Sequence, residues 1–366
     1  MEYVIIFNNN LLKQRTALFN MLCSLRYNFK RIINYFLIKY QLILRTIKVV
    51  GYPYDIFIDP CNICMLHCPL CPTGIGDTSR VKAILSFELF KKIIDEVGDY
   101  AYSVTFTNWG EPLLNKHLVE MIKYCKKVKH IPFVRFDTNL NIVLTERSAE
   151  SLLLSGLDML SVSIDGVTQE TYEKYRKGGD LKKVLNNSRL LIDKRQRFRL
   201  EKPYIYMQFL VFRHNIHEIG EAINLAHQMG FDAIRIASAR AYTGTDVIKP
   251  TRVNYEISKE YLPEPGSKWS HYTSDLKRIG SKKICDWLWK RIVINPDGSV
   301  SSCCAYYPQE YDLGNISYES IKSVWNSNKY IMARKIAKNP KKAKFYLQKG
   351  KIPCAICIPL GNFIDV

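Results

Sequence analysis

The chain has no long uncharged apolar run. Between residues 11 and 50 Leu, Ile, Phe and Tyr are abundant, yet Arg26, Lys30, Arg31, Lys39 and Arg45 interrupt them. No stretch reaches the ~18 residues that a bilayer-spanning helix needs. What remains is a basic amphipathic helix that packs on the main body or lies on a membrane surface. No secretory leader is expected, because Met1 to Asn10 ends in three asparagines with no small-residue cleavage site after an apolar core. The expected compartment is therefore reducing and cytoplasmic, with peripheral membrane contact open to the N-terminal segment. The eleven cysteines are expected as free thiols. Acid is scarce at both ends. Residues 1–50 hold eight Lys or Arg against Glu2 alone, and residues 321–364 hold ten with no acid, so these stretches carry most of the net +19. Such patches suit an acidic protein, an anionic membrane surface or nucleic acid, and equally a merely solvated face.

At 366 residues and 47% hydrophobic, the chain has enough apolar material for one large domain and a smaller one. From residue 55 onward short apolar runs alternate with helical patterns. Asp55–Asp59, Tyr102–Thr107, Phe133–Asp137, Met159–Ile164, Tyr204–Phe212 and Ala233–Ala237 read as strands. Between them, Ser86 caps a helix with the stripe Leu89, Phe90, Ile93, Ile94 and Val97; further helices span 117–129, 145–156 and 181–197. Another begins at Asn215, where Glu218 completes a capping box, and closes at Gly230. Six strands joined by right-handed helical crossovers give an α/β fold, a partial (βα)6 TIM-like barrel of parallel strands, with working residues at the C-terminal strand ends. The expected division is a basic amphipathic segment at 1–50, the barrel at 51–240, a connector at 241–283 and a small cysteine-rich C-terminal domain at 284–366.

Three cysteines, Cys64, Cys68 and Cys71, stand at gaps of three and two residues in the loop after the first barrel strand. Three thiolates hold three corners of a cubane iron–sulfur cluster and leave the fourth iron open to a ligand. The same spacing suits structural zinc if His67 or Cys61 supplies a fourth donor. On the same rim the second strand is followed by Asn108-Trp-Gly-Glu-Pro112, the third by Thr138-Asn139 and the fourth by Ser163-Ile-Asp-Gly166.

On these residues the chain resembles the radical S-adenosylmethionine (radical SAM) enzymes, whose hallmark is Cys-x3-Cys-x2-Cys after the first barrel strand. Their Gly-Gly-Glu-Pro element is matched by Trp109-Gly110-Glu111-Pro112, with tryptophan in place of the first glycine. The resemblance implies a [4Fe–4S] cluster on Cys64, Cys68 and Cys71 that binds S-adenosylmethionine, whose reductive cleavage gives a 5′-deoxyadenosyl radical able to take hydrogen from a substrate C–H. It places the cofactor's amine on Trp109, Gly110 and Glu111, its carboxylate on Ser163 and Arg176, and its ribose or adenine near Asn139 and Gln208. Pro72 stands where relatives carry an aromatic residue, so adenine stacking is expected from elsewhere.

The C-terminal cysteines resemble the auxiliary-cluster domain of the SPASM and twitch subgroup. By that resemblance Cys285, Cys303, Cys354 and Cys357 hold one auxiliary [4Fe–4S] cluster, with Cys303 favoured over its neighbour Cys304, and a four-cysteine zinc as the alternative. Cys23, Cys61 and Cys125 are assigned no chemistry. The implied function is hydrogen abstraction leading to net oxidation of a sugar- or aminocyclitol-like substrate, with the auxiliary cluster as electron acceptor. A peptide maturase is the second reading, placed second because residues 1–50 are too short for a winged-helix-like peptide-recognition module and offer no strands for one. An acidic electron donor such as flavodoxin or ferredoxin suits the basic C-terminal run. From another class, a zinc-stabilised nucleic-acid-binding protein would use Tyr330, Phe345 and Tyr346 as stacking platforms.

Overall fold

Strands form where period-two apolar runs are bounded by turn residues, and helices where the period lengthens to 3.6. The structure, a computed structural model, describes residues 2–7, 28–240, 252–274, 279, 285–343, 345 and 352–357. It opens with β1 (Glu2–Ile6) and α1 (Phe29–Ile43), then alternates β2 (Asp55–Ile58), α2 (Phe87–Val97), β3 (Ser103–Phe106), α3 (Leu118–Lys123) and β4 (Phe133–Thr138). There follow α4 (Glu146–Leu153), β5 (Met159–Ser163), α5 (Gln169–Tyr175), α6 (Leu181–Arg197), β6 (Tyr204–Val211), α7 (Ile219–Gln228) and β7 (Ala233–Ser238). All six expected strands are present, and β2 to β7 pair in parallel in chain order. The Ser86 side chain accepts from Leu89 N–H and starts α2, whose Phe90, Ile93, Ile94 and Val97 are buried. Helix α3 continues as a π-helical turn over Tyr124–Val128.

Alternate strand residues serve two environments. Val104, Phe106, Val134, Phe136, Leu160 and Val162 are fully buried in the main apolar core. Their neighbours in sequence are polar and form a charged lumen. There the Asp55 carboxylate accepts from Ser103 Oγ at 2.6 Å and Arg291 Nε at 2.6 Å. Arg235 donates to Gln208 Oε1 at 2.9 Å and Glu2 Oε1 at 2.6 Å. Asp55 and Arg291 are tolerated in this interior because they pair with each other.

The cysteine-rich end is built onto the same sheet. After α8 (Arg252–Tyr261) and α9 (Trp287–Lys290), β8 (Arg291–Ile294) pairs in parallel with the outer edge of β2 in the register Asp55↔Arg291. The Asp297-Gly298 turn returns the chain as β9 (Ser299–Ser301), and β10 (Gly314–Asn315) follows. The result is one ten-stranded sheet in the order β1-β7-β6-β5-β4-β3-β2-β8-β9-β10. Helices α10 (Ile321–Trp325), α11 (Asn328–Lys338) and α12 (Cys354–Cys357) complete it.

Two expectations are corrected. Residues 1–50 do contain a strand, since β1 lies antiparallel against β7 at the open edge of the barrel. The Asn215/Glu218 capping box does not form. Asn215 donates to Asp165 O and Leu210 O, and Glu218 accepts from Val167 N–H, so both are buried holding the barrel mouth rather than the helix end.

Candidate active site

The chain leaves β2 at Asp59, which is fully buried and accepts from Cys61 N–H at 3.3 Å and Trp109 N–H at 3.1 Å. One carboxylate thus binds the cysteine loop to the Trp-Gly-Glu-Pro loop. Burial pushes it up to about 7, against the pull of those two donors and Arg80. The cysteine loop is fixed at several further points. The Asn62 side chain bridges Val81 O and Ala83 N–H, Ile63 O accepts from Glu111 N–H, and His67 N–H donates to Lys177 O at 2.9 Å. Two glycines permit close approach. A methyl group at Gly110 would stand 1.9 Å from Cys61 O, and one at Gly74 would stand 2.5 Å from the Cys68 backbone.

Cys64, Cys68 and Cys71 share this mouth as free thiols. Cys68 packs among Leu66, Leu70, Tyr175 and Phe212, with Cys64 and Cys71 against the same cluster. Burial pushes Cys64 up to about 11 and Cys68 up to about 12, and the Arg176 guanidinium opposes both shifts. Leu66 N–H and Asn139 Nδ2 point at Cys64 Sγ from 3.5 and 3.4 Å, and the backbone of Thr73 and Gly74 donates to Cys71. N–H donors and a nearby guanidinium are what anionic sulfurs require, so the donor set fits an iron–sulfur cluster held by three thiolates. Among the described residues no three His, Cys, Asp or Glu side chains are grouped as for a single metal ion.

The rest of the rim is ordered around two carboxylates. Glu111, 1% exposed, accepts from Thr138 Oγ1 at 2.6 Å, Asn139 N–H at 2.8 Å and Leu113 N–H at 3.1 Å. Its carboxylate thereby holds the Trp-Gly-Glu-Pro loop against the end of β4 beside Asn139. The Trp109 ring turns away to pack edge-on against Tyr307, 5.3 Å between centroids, which explains why this position tolerates a large side chain. Arg176 donates through Nε to Asp165 Oδ2 at 2.6 Å, while Asp165 Oδ1 accepts from Leu210 N–H at 2.7 Å. Ser163 is buried at the end of β5, in register with Gln208. The Asn139 amide faces the Cys64 thiol, and the Gln208 carbonyl accepts from Arg235.

In the C-terminal part Cys285, Cys303 and Cys304 pack against Phe57, Trp287 and Val293. The adjacent pair diverges. Cys303 and Cys354 both act electrostatically on buried Tyr330, whereas Cys304 feels Arg240, Arg291 and Asp137 of the barrel. Cys357 ends α12, and its side chain lies outside the described residues, as do Cys23 and Tyr346. Cys125 is fully buried in the turn that prolongs α3, and Cys61 Sγ meets its own loop at Ile63 N–H, 3.4 Å away.

Residues 58–226 match the model of the radical SAM superfamily, and residues 285–358 match that of the SPASM iron–sulfur cluster-binding domain. The chain belongs to the radical SAM superfamily. This radical SAM chain is 26% identical over 279 residues to the antilisterial bacteriocin subtilosin biosynthesis protein AlbA of Bacillus subtilis, covering 73% of this chain and 57% of AlbA. It is 25% identical over 300 residues to the PqqA peptide cyclase of Rhizobium meliloti, covering 77% and 76%. Its fold is that of Streptococcus suis SuiB bound to the precursor peptide SuiA, with TM-score 0.55, 12% identity and coverage of 81% and 69%. It is also similar to anSMEcpe with bound AdoMet, with TM-score 0.51, 17% identity and coverage of 76% and 82%. A radical SAM enzyme with a SPASM domain uses a [4Fe–4S] cluster with S-adenosylmethionine and auxiliary iron–sulfur clusters. Of the three stacking platforms in the nucleic-acid reading, Tyr330 is fully buried between Trp325 and Arg334, Phe345 is exposed and Tyr346 lies outside the described residues.

Sequence reasoning put Thr138 and Asp165 on the rim without giving them a role, and missed Asp59 and Arg80. Arg80 is buried and donates to Tyr307 O, Ser299 Oγ and Asp312 Oδ1 at 2.7–2.9 Å, clamping the cysteine loop's far end to the C-terminal hairpin. The only signal for Asp59 and Asp165 was an acidic residue directly after an apolar strand.

Proposed function

We propose that this radical SAM enzyme modifies a peptide, with hydrogen abstraction as the first chemical step and net oxidation as the outcome. The observation that carries the reading is the set of N–H donors and the Arg176 guanidinium gathered on the Cys64, Cys68 and Cys71 sulfurs at the C-terminal rim of a parallel barrel. When bound there, the cluster and S-adenosylmethionine supply a 5′-deoxyadenosyl radical. The chain's own work is to hold and orient. Trp109 and Gly110 offer backbone carbonyls to the cofactor amine, Arg176 and Ser163 meet its carboxylate, and Asn139 steadies Cys64. Glu111 and Asp165 position Asn139 and Arg176.

Peptide is put before the sugar-like substrate because the PqqA peptide cyclase names a peptide and AlbA names the biosynthesis of a bacteriocin. Cys285, Cys303, Cys354 and Cys357 are proposed as ligands of one auxiliary cluster, with Cys304 facing the barrel. An acidic flavodoxin or ferredoxin is the proposed electron donor, in a cytoplasmic setting. No helix among the described residues is long and apolar enough to cross a membrane.

Anaerobic purification tests the core of this. Brown protein with about eight irons, two cubanes' worth, is expected; colourless protein holding zinc overturns the reading. Incubation with side-chain-deuterated precursor peptides should move deuterium into 5′-deoxyadenosine. Transfer from aminocyclitols but from no peptide would restore the sugar-like substrate. Cys68→Ala should abolish cofactor cleavage, whereas Cys354→Ala should spare uncoupled cleavage and stop product. Normal product formation by the second variant would reduce the auxiliary centre to a structural one.

A further inference from the structure

Helix α1 is mounted with its polar side inward. Arg31, Asn34, Ile38 and Gln41, at spacings of three and four, are its buried residues. Arg31 donates to Gly98 O at 3.0 Å and to Lys129 O and His130 O at 3.3 Å. Asn34 exchanges two hydrogen bonds with the Tyr52 backbone, and Gln41 Oε1 accepts from Gly51 N–H. These backbone groups belong to the turns that precede β2, β3 and β4, so α1 lies across the N-terminal ends of the strands, on the face opposite the catalytic rim.

The opposite stripe of α1 is apolar and in solvent. Phe29 is 79% exposed, Ile33 64%, Phe36 58%, Tyr40 61% and Ile43 78%, again at helical spacing, and Leu44 and Val50 extend the patch. A helix of a water-soluble domain ordinarily buries that stripe. A contiguous exposed apolar band of this kind marks an interaction surface. The charge around it indicates the partner. From Asn28 to Tyr54 there is no acidic residue, and Lys30, Lys39, Arg45 and Lys48 lie on or directly after the helix. Lys30, Lys48 and Lys127 are exposed beside the helix, and the nearby acids Asp95 and Asp99 are paired with Lys129 and Lys30.

We propose that α1 docks this enzyme on an anionic phospholipid surface, its aromatic and aliphatic stripe entering the interface and its lysines meeting the headgroups. Apolar residues on one face with basic residues at the borders are the pattern of an interfacial helix. Because α1 covers the far end of the barrel, the docked enzyme keeps its catalytic mouth turned toward the aqueous phase, open to a soluble peptide.

The experiment is co-sedimentation of the anaerobically purified holoenzyme with phosphatidylcholine vesicles, with and without phosphatidylglycerol. Binding is expected only with phosphatidylglycerol, and it should weaken more than about tenfold on moving from ~0.1 M to ~1 M salt. A variant with Phe29, Ile33, Phe36 and Tyr40 each changed to Ser should lose binding while keeping its thermal midpoint and its rate of cofactor cleavage, since none of these side chains enters the core. Lys30→Glu with Lys48→Glu should weaken binding by about tenfold or more. Absence of binding at low salt overturns the proposal, whether the stripe is then found covered by residues 8–27 in hydrogen exchange or by a second copy in sedimentation velocity. Binding that survives the serine substitutions overturns it too.

Discussion

Glu111 sits 1% exposed among a hydroxyl and two backbone N–H donors; burial pushes its pKa up, against the pull of those donors and Arg176. In Glu111→Gln an amide NH2 must face one of the donors, at a cost of ~1–3 kcal/mol in unfolding free energy. The displaced Asn139 backbone should raise the KM for S-adenosylmethionine about tenfold, the equivalent of ~1.4 kcal/mol, with iron content kept. An unchanged KM would show that Asn139 does not depend on this carboxylate. Asp59 invites a pH experiment. Its folded value of about 7 lies above the ordinary 3.8, so the stability it contributes is present below about pH 4 and lost as pH rises through about 7. Asp59→Asn removes that slope. The variant's unfolding midpoint should therefore gain on wild type steadily between about pH 4 and 7, and parallel curves would refute the assignment. Cysteines and Gly-Glu-Pro were legible in the sequence because their chemistry is rare. Asp59 was not, because a lone aspartate after a strand looks like any turn; Asp165 was placed on the rim but its hold on Arg176 was not.

The six barrel strands were legible because each is a short apolar run with punctuation on both sides, and α2 and α6 because caps and stripes agree. Strand β1 escaped notice: five residues beside a run of asparagines carry no sign of the distant β7 they pair with. The amphipathicity of α1 was visible, but periodicity cannot say which stripe faces in; that is decided by the carbonyls of three turns looking for donors. Arg80 tests the connection between elements. Its Asp312 partner is nearly as buried as it is, so Arg80→Ala strands a carboxylate and should cost ~3–5 kcal/mol in chemical unfolding. Limited proteolysis should then cut first between residues 72 and 85. A variant with native stability would mean that the clamp is incidental.

On the scale of the molecule the basic C-terminal run is less uniform than its sequence suggests. Arg334 is fully buried, donating to Leu288 O and lying over Trp325 at 4.7 Å, so its charge serves packing. Lys335, Lys338 and Lys341 remain exposed for a donor. Reversing these three to Glu should slow flavodoxin-driven cofactor cleavage about tenfold or more at low salt and leave dithionite-driven cleavage unchanged, while raising the salt should erase the difference. A donor-driven rate indifferent to both would rule out steering by this face.

Because Arg291–Ile294 hydrogen-bonds directly to Asp55–Ile58, the cysteine-rich end is stitched to the strand that launches the reactive loop. Cutting the chain at residue 284 would bare that strand as a raw edge, inviting self-association. Anyone building chimeras between relatives must therefore move this seam whole, since the two metal-handling regions travel as one piece of cloth.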